Sequence, residues 1–185
     1  MIRLRHVFAT FLLLSTVFVG THLVSYPGSV AHFLKATGGQ KILDMQASAS
    51  AAETYERLAA MGESGRALYL RLIVTVDIVF PIVMLIFLVT LARFAAQRAG
   101  LRRWTKAMLV ALPVMYFGFD MLENVSSLAM LLRYPDQLVW VAGAIGSLTR
   151  AKRGFMLLAL VVPHVLLVLV QVSGWWRARK LQPTA

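Results

Sequence analysis

Four apolar runs limit what this chain can fold into. They cover residues 7–24, 70–91, 107–132 and 154–174. Because an α-helix rises ~1.5 Å per residue, runs of this length match the ~30 Å hydrocarbon core of a bilayer. Hydrophobic residues also make up 59% of the chain, above the ~45–50% typical of soluble domains. The sequence therefore predicts an all-α fold: a polytopic membrane four-helix bundle that forms a single domain over residues 1–185.

Basic residues dominate the charge of the chain, whose formal net charge is +11 at pH 7. They flank the apolar runs in segments without Asp or Glu: before the first run, between the second and third, and after the fourth. These residues are Arg3, Arg5, Arg93, Arg98, Arg102, Arg103, Lys106, Arg177, Arg179 and Lys180. The positive-inside rule places such segments in the cytoplasm, together with both termini. We therefore expect the bilayer as a partner, including its anionic lipids, and no nucleic acid.

Two features of the sequence complicate this topology. Arg150, Lys152 and Arg153 form another basic cluster, which the arrangement places on the extracytoplasmic side. In addition, the basic N-terminus followed by an apolar run resembles a signal peptide. Because residues 21–26 contain no clear small-x-small cleavage site, we expect the first run to be an uncleaved membrane anchor.

The main polar segment, residues 25–69, is predicted to form a small helical cap on the extracytoplasmic end of the bundle. Ser29 is a candidate N-cap of a short helix, and Ser50 with Glu53 fits a capping box that starts a second one. Residues 137–149 are apolar but are interrupted by glycines. This stretch is compatible with a surface helix, a re-entrant segment or an outer extension of the last helix.

A polar stripe in the third run is the strongest functional signal. Its members recur at helical spacing and share one face of the predicted helix; they are Tyr116, Asp120, Glu123, Asn124 and Ser127. An ionised carboxylate in mid-membrane costs at least ~2.5–3.5 kcal/mol, and two carboxylates within one turn also repel each other. We therefore expect this face to line the bundle interior or a water-filled cavity, with at least one acid protonated or paired with a cation.

The second and fourth runs contain polar residues that we expect beside this stripe. Asp77 lies near the outer end of the second run, and Pro81 four residues later leaves the Asp77 carbonyl without its helical hydrogen bond. Pro163 and His164 repeat this device in the fourth run. The predicted binding residues are Asp77, Asp120, Glu123, Asn124, Ser127 and His164, and the candidate cationic partners are Arg71, Lys152, Arg153 and His164.

The catalytic repertoire of the chain is narrow. It has no cysteine, which excludes a thiolate nucleophile, a disulfide and a c-type haem attachment. Its histidines do not occur at the spacing of known zinc motifs. The sequence therefore predicts no metal site and identifies no cofactor. The candidate catalytic residues are Asp120, Glu123 and Tyr116, which carry acid–base or hydrogen-bonding groups.

Three classes of function are compatible with these residues. The first is a binding or transport protein whose acidic cavity holds or moves a proton, a cation or a small amphiphile. The second is a small membrane enzyme acting on a lipid or isoprenoid, with Asp120 or Glu123 as general acid or base and Tyr116 as hydrogen-bond donor. The third is an accessory subunit or assembly factor, with a membrane protein or a second copy as its partner. A purely structural role, in which the polar groups hold helices together, is the rival of all three.

Two short motifs resemble those of small bacterial four-helix integral membrane proteins of unassigned function. They are D-x-x-F-P at residues 77–81 and F-D-x-x-E-N at residues 119–124. The resemblance implies a multi-pass protein of the bacterial inner membrane. It implies no activity.

The topology is testable because the chain lacks native cysteine. We expect Gln97→Cys and Thr184→Cys to be shielded from a membrane-impermeant maleimide in intact cells, and Ser50→Cys to react. Permeabilised cells, in which all three positions should react, are the control. Labelling of Gln97→Cys in intact cells would reverse the orientation.

Overall fold

The structure, a computed structural model, describes residues 2–180, and its regular secondary structure there is entirely helical. The predicted all-α fold is confirmed for this part of the chain. In chain order the helices are α1 (Leu4–Phe18), continued by a π-helical turn (Val19–Leu23), α2 (Val30–Ala36), a 3-10 turn (Leu43–Met45), α3 (Ala51–Ala60), α4 (Gly62–Ile73), α5 (Val76–Arg98), α6 (Arg103–Arg133) and α7 (Val139–Lys180). The side chains of the C-terminal basic cluster, Arg177, Arg179 and Lys180, lie outside the described part, as does Thr184.

Four stretches are long and apolar enough to cross a membrane: Leu4–Leu23, Gly62–Arg98, Arg103–Arg133 and Val139–Trp176. Most of their side chains are not covered by protein, since even in the second stretch only 33% of the most apolar part is buried. Such a surface is unfavourable in water, whereas lipid chains cover it without loss. The structure therefore supports an integral membrane protein.

The long helices pack mainly in a group of three. α5, α6 and α7 contact one another, and α1 packs against α5. One hydrophobic cluster joins all four helices through Leu14, Phe87, Leu88, Leu91, Tyr116 and Ala159. A smaller cluster joins α5 to the first turns of α6 through Ala92, Ala96 and Leu109.

Segment 25–69 packs onto the end of α6 and the beginning of α7 and shares a hydrophobic core with them. Residues of this core that are at most 1% exposed include Phe33, Leu43, Leu58, Leu72, Met130 and Ile145. Because these side chains come from both the segment and the long helices, their burial fixes the segment against one end of the helix group.

Serine residues begin two helices of this segment, as predicted. Ser29 Oγ accepts a hydrogen bond from the backbone N–H of His32 at 3.1 Å. Ser50 Oγ accepts one from the backbone N–H of Glu53, also at 3.1 Å. The Glu53 carboxylate in turn accepts from the N–H of Ala49 at 2.6 Å, one residue before the position that a standard capping box uses.

The second membrane stretch is broken just before Asp77, which the sequence did not predict. α4 ends at Ile73 and α5 begins at Val76, and Thr75 between them has φ −124° and ψ −81°. The Thr75 hydroxyl donates to the carbonyl of Arg71 at 2.7 Å, so it competes with the helical backbone bonds at this point. Asp77 therefore lies in the first turn of α5, where the positive end of the helix dipole favours a carboxylate.

The last helix decides between the alternatives for residues 137–149. α7 is continuous over 42 residues from Val139, so this stretch is an extension of the last helix and not a re-entrant or separate surface helix. At ~1.5 Å per residue it is about 63 Å long, roughly twice the hydrocarbon thickness. Its first turns pack on α3 and thereby join segment 25–69 to the membrane region.

A glycine allows this contact. A Cβ added at Gly146 would lie 1.8 Å from the carbonyl oxygen of Ser48, whereas one added at Gly143 would meet nothing within 4 Å. The loop that contains Ser48 therefore lies directly against the α7 backbone, and only glycine fits between them.

We expect Gly146→Ala to destabilise the protein by about 1–3 kcal/mol, because the added methyl group displaces backbone that cannot yield freely. Gly143→Ala is the matched control on the same helix and should be neutral or stabilising by up to about 1 kcal/mol. Thermal unfolding in mild detergent measures both variants. Equal stability of the two variants would contradict the close packing of the Ser48 loop on α7.

Candidate functional site

The polar stripe of α6 faces the protein interior, as the sequence predicts. Its side chains are almost fully covered, with residue exposures of 3% for Tyr116, 5% for Asp120, 0% for Glu123, 8% for Asn124 and 1% for Ser127. Helical spacing accounts for their common direction. The partners of these side chains come from α5, α7 and segment 25–69.

Lys152 of α7 lies at the centre of the site. Its ammonium Nζ is 2.5 Å from Glu123 Oε2, 3.0 Å from Asp120 Oδ1 and 3.5 Å from Asp44 Oδ2. The lysine is only 7% exposed. Of the candidate cations named from sequence, Lys152 is therefore the one that pairs with the stripe. It connects α7 to α6 and to the 3-10 turn of segment 25–69.

Thr149, one turn before Lys152 in α7, also binds the carboxylate of Glu123. Its hydroxyl lies 2.5 Å from Glu123 Oε1 and 3.0 Å from the carbonyl oxygen of Ile145. A hydroxyl has one proton to donate, and the charged acceptor forms the stronger bond. Both oxygens of Glu123 are thus engaged, one by a cation and one by a hydroxyl, in a side chain with no exposure to solvent.

Asp44 was not identified from the sequence, and its loop is held in place by Arg57 of α3. The Arg57 guanidinium donates to the carbonyl of Ile42 at 2.8 Å, to the carbonyl of Gln46 at 2.5 Å and to Ser48 Oγ at 3.0 Å. Burial lowers the pKa of this guanidinium, which nevertheless stays charged at neutral pH. These bonds fix the 3-10 turn on both sides of Asp44 and direct its carboxylate towards Lys152.

The backbone carbonyl of Asp77, which Pro81 leaves without its helical hydrogen bond, has a partner from the polar stripe of α6. Asn124 Nδ2 donates to the carbonyl oxygen of Asp77 at 2.8 Å and lies 3.4 Å from Asp120 Oδ2. The proline therefore leaves a free acceptor on α5, and the side-chain amide of Asn124 on α6 donates to it. This bond orders the backbone of Asp77 beside the carboxylate of Asp120.

A cavity of about 180 Å³ lies beside these residues. It is lined by His22, Asp44, Asp77, Phe80, Pro81, Tyr116, Asp120, Lys152, Arg153 and Met156. Asp77 lines this space, and no basic group of the described residues lies within 4 Å of its carboxylate. Asp77 is therefore the acid of this group without an ion pair.

The rim of the cavity carries two further groups. Arg153 is exposed, and its guanidinium donates to the backbone carbonyl of Asp44 at 2.6 Å. His22, on the π-helical turn that follows α1, stacks on Phe18 and packs edge-on against Phe80. His22 was another residue that sequence reasoning did not single out.

Three predicted residues lie elsewhere. His164 is exposed beside α1, in an apolar groove with Phe8 and Phe11, and its Nδ1 is 2.6 Å from the Leu160 carbonyl oxygen. Arg71 is exposed and lines a separate surface pocket. Ser127 is buried beside the Tyr69 phenol, outside the lining of the cavity. The structure thus brings together Asp77, Tyr116, Asp120, Glu123 and Asn124, but neither His164 nor Arg71.

Two observations bear on possible ligands. Within residues 2–180, no group of three or more His, Cys, Asp or Glu side chains is arranged to hold a metal ion. The ammonium of Lys152 occupies the point at which Asp44, Asp120 and Glu123 converge. The site is therefore organised around a protein cation.

Comparison with known proteins adds no assignment: no family model matches the chain, and no curated protein or solved structure is similar to it.

We expect Lys152→Met to destabilise the protein by about 3–5 kcal/mol, because it leaves buried carboxylates without their cation. Adding Glu123→Gln and Asp120→Asn to this variant should recover much of the loss, since these changes remove the uncompensated charges. Lys35→Met, at an exposed lysine, is the control and should change stability by less than about 0.5 kcal/mol. Unfolding in detergent measures the stability of all of these variants. Full stability of Lys152→Met would contradict the central role of the ion pairs.

Proposed function

We propose that the protein is a four-helix bundle of the bacterial inner membrane with both termini in the cytoplasm. Segment 25–69 and the first turns of α7 form a helical cap on the extracytoplasmic side. The distribution of charge supports this arrangement. The basic residues near the turn between α5 and α6 lie at one end of the long helices, and all eight acids of the chain lie towards the other.

We further propose that the acidic cavity binds and exchanges protons or a small cation. The charge balance of the cavity carries this proposal. Four carboxylates, those of Asp44, Asp77, Asp120 and Glu123, lie in or beside the cavity, and the cations there are one buried ammonium and the exposed guanidinium of Arg153. If all four acids were ionised, the site would hold two negative charges in excess.

Such an excess is unfavourable in a region of low dielectric constant. Two like charges at ~4 Å repel by about 4 kcal/mol even at an effective dielectric constant of ~20. This repulsion is removed if protons or a mobile cation neutralise the two excess negative charges. Asp77 is the acceptor that best fits this role, because it lines the cavity and pairs with no cation of the described residues.

The size of the cavity favours a small ligand. About 180 Å³ accommodates several water molecules or a partly hydrated cation, whereas sites for larger organic ligands occupy ~300–1,000 Å³. Lys152 allows the bound proton or cation to be exchanged. A charge that neutralises Asp120 weakens one of the ion pairs that hold the Lys152 ammonium. The lysine, which is part of the protein, therefore competes with the incoming charge for Asp120.

The catalytic alternative has less support from this geometry. Asp120 and Glu123 were the candidate general acids or bases, but Lys152 binds both of them. A general base needs a lone pair directed at its substrate, whereas Lys152 contacts one oxygen of each carboxylate and Thr149 contacts the second oxygen of Glu123. Tyr116 does line the cavity, so its hydroxyl remains available as a hydrogen-bond donor to a ligand.

Asp77→Asn tests the proposal directly. It keeps the size of the side chain and leaves the backbone carbonyl that Asn124 binds, but it removes the unpaired acid. We expect wild-type protein in weakly buffered detergent to release protons when sodium, potassium or methylammonium chloride is added. In Asp77→Asn this release should fall at least about tenfold, while the melting temperature changes by only a few degrees.

Glu56→Gln, at an exposed acid of α3, is the matched control and should release protons as the wild type does. Proteoliposomes with a trapped pH-sensitive dye extend the measurement to proton movement across the bilayer. A folded wild-type protein that neither releases protons on cation addition nor moves them would leave the polar site with a structural role only.

A further inference from the structure

A second cavity, of about 320 Å³, lies at the opposite end of the long helices, between the last turns of α5 and the first turns of α6. It is lined by Arg93, Ala96, Gln97, Lys106, Ala107 and Val110. Small side chains on both helices leave room here, because two alanines take the place of larger residues. The cavity has a basic part contributed by two helices and an apolar part.

The polar groups that line this cavity are donors. Arg93 and Lys106 make no ion pair with the described residues. The side-chain oxygen of Gln97 accepts a hydrogen bond from the backbone N–H of Ile2 at 3.0 Å, which leaves the amide NH₂ for another partner. A guanidinium, an ammonium and an amide NH₂ together match an oxyanion, and a phosphate in particular.

Charge around the cavity is equally one-sided. The chain between Thr90 and Lys106 contains no Asp or Glu, so no carboxylate of this turn can neutralise the two cations. The unbalanced positive charge contrasts with the acidic cavity, where a cation is held by the protein itself. A ligand for this second cavity must therefore bring the negative charge.

The position of the cavity along the helices identifies the source of that charge. Arg93 lies five residues before the end of α5, and Lys106 lies three residues after the start of α6. Both cations are thus within about two turns of the helix ends, the depth at which lipid headgroups meet the hydrocarbon. Ala107 and Val110 continue the cavity as an apolar surface that suits acyl chains.

We propose that this cavity is a binding site for the phosphate of an anionic phospholipid. The guanidinium of Arg93 and the ammonium of Lys106 hold the phosphate from two different helices, and the Gln97 amide donates a hydrogen bond to it. The bound headgroup neutralises both cations and joins α5 to α6. This inference does not depend on the function proposed for the acidic cavity.

Native mass spectrometry of purified, delipidated protein titrated with phosphatidylglycerol or phosphatidylcholine tests the site. We expect a preference for phosphatidylglycerol that Arg93→Gln/Lys106→Gln weakens about 10- to 30-fold. The charge-matched control is Arg102→Gln/Arg103→Gln, which removes two exposed cations of the same turn that do not line the cavity. It should weaken binding less than about threefold.

Equal losses in the two double variants would overturn the proposal, because they would show general attraction to a basic surface. Competition by inorganic phosphate at the same concentration as the lipid would also overturn it, since the ligand would then be a soluble oxyanion. Circular dichroism and melting temperature check the fold of each variant. If the first double variant does not fold, Lys106→Gln alone should weaken binding about fivefold, and an unchanged affinity contradicts the site.

Discussion

The contact of a single ammonium group with three carboxylates organises the interior of this protein. Lys152 comes from α7, Asp120 and Glu123 come from α6, and Asp44 comes from a turn of segment 25–69. Removing such charges from water is strongly unfavourable unless they remain together. The ion pairs therefore require the helices and the segment to meet in one arrangement, and the apolar packing on either side of them conforms to it.

Hydrogen bonds from uncharged side chains orient the charged groups in this arrangement. Thr149 binds one oxygen of Glu123, and Asn124 binds the carbonyl that Pro81 exposes at Asp77. Each of these bonds satisfies an acceptor that would otherwise be buried alone, which would cost about 1–3 kcal/mol. The carboxylate of Asp77 differs from those of Asp44, Asp120 and Glu123, because no cation of the described residues pairs with it.

Much of the site on α6 was predictable because helical spacing fixes which side chains share a face, and because intramembrane acids are too unfavourable to face lipid. Asp44 was not predictable in this way. It lies in a loop without periodicity, and its contact with α6 and α7 exists only in the folded protein, although an acid between Leu43 and Met45 was a local signal.

His164 lies twelve residues from Lys152, about 120° around an ideal helix. Because the Lys152 side chain lines the cavity, the side chain of His164 faces another direction. The break at Thr75 depended on a local competition between a hydroxyl and the backbone, which hydropathy does not detect.

The length of α7 gives Lys152 a mechanical position as well as an electrostatic one. No proline interrupts the helix between Val139 and Pro163, and Lys152 lies near the middle of that rod, about 20 Å from one end and about 17 Å from the other. The first turns of this stretch pack on α3, and its middle is joined to α6 by the ion pairs of Lys152. Both contacts therefore act on one uninterrupted piece of helix, and a force on either of them is carried to the other.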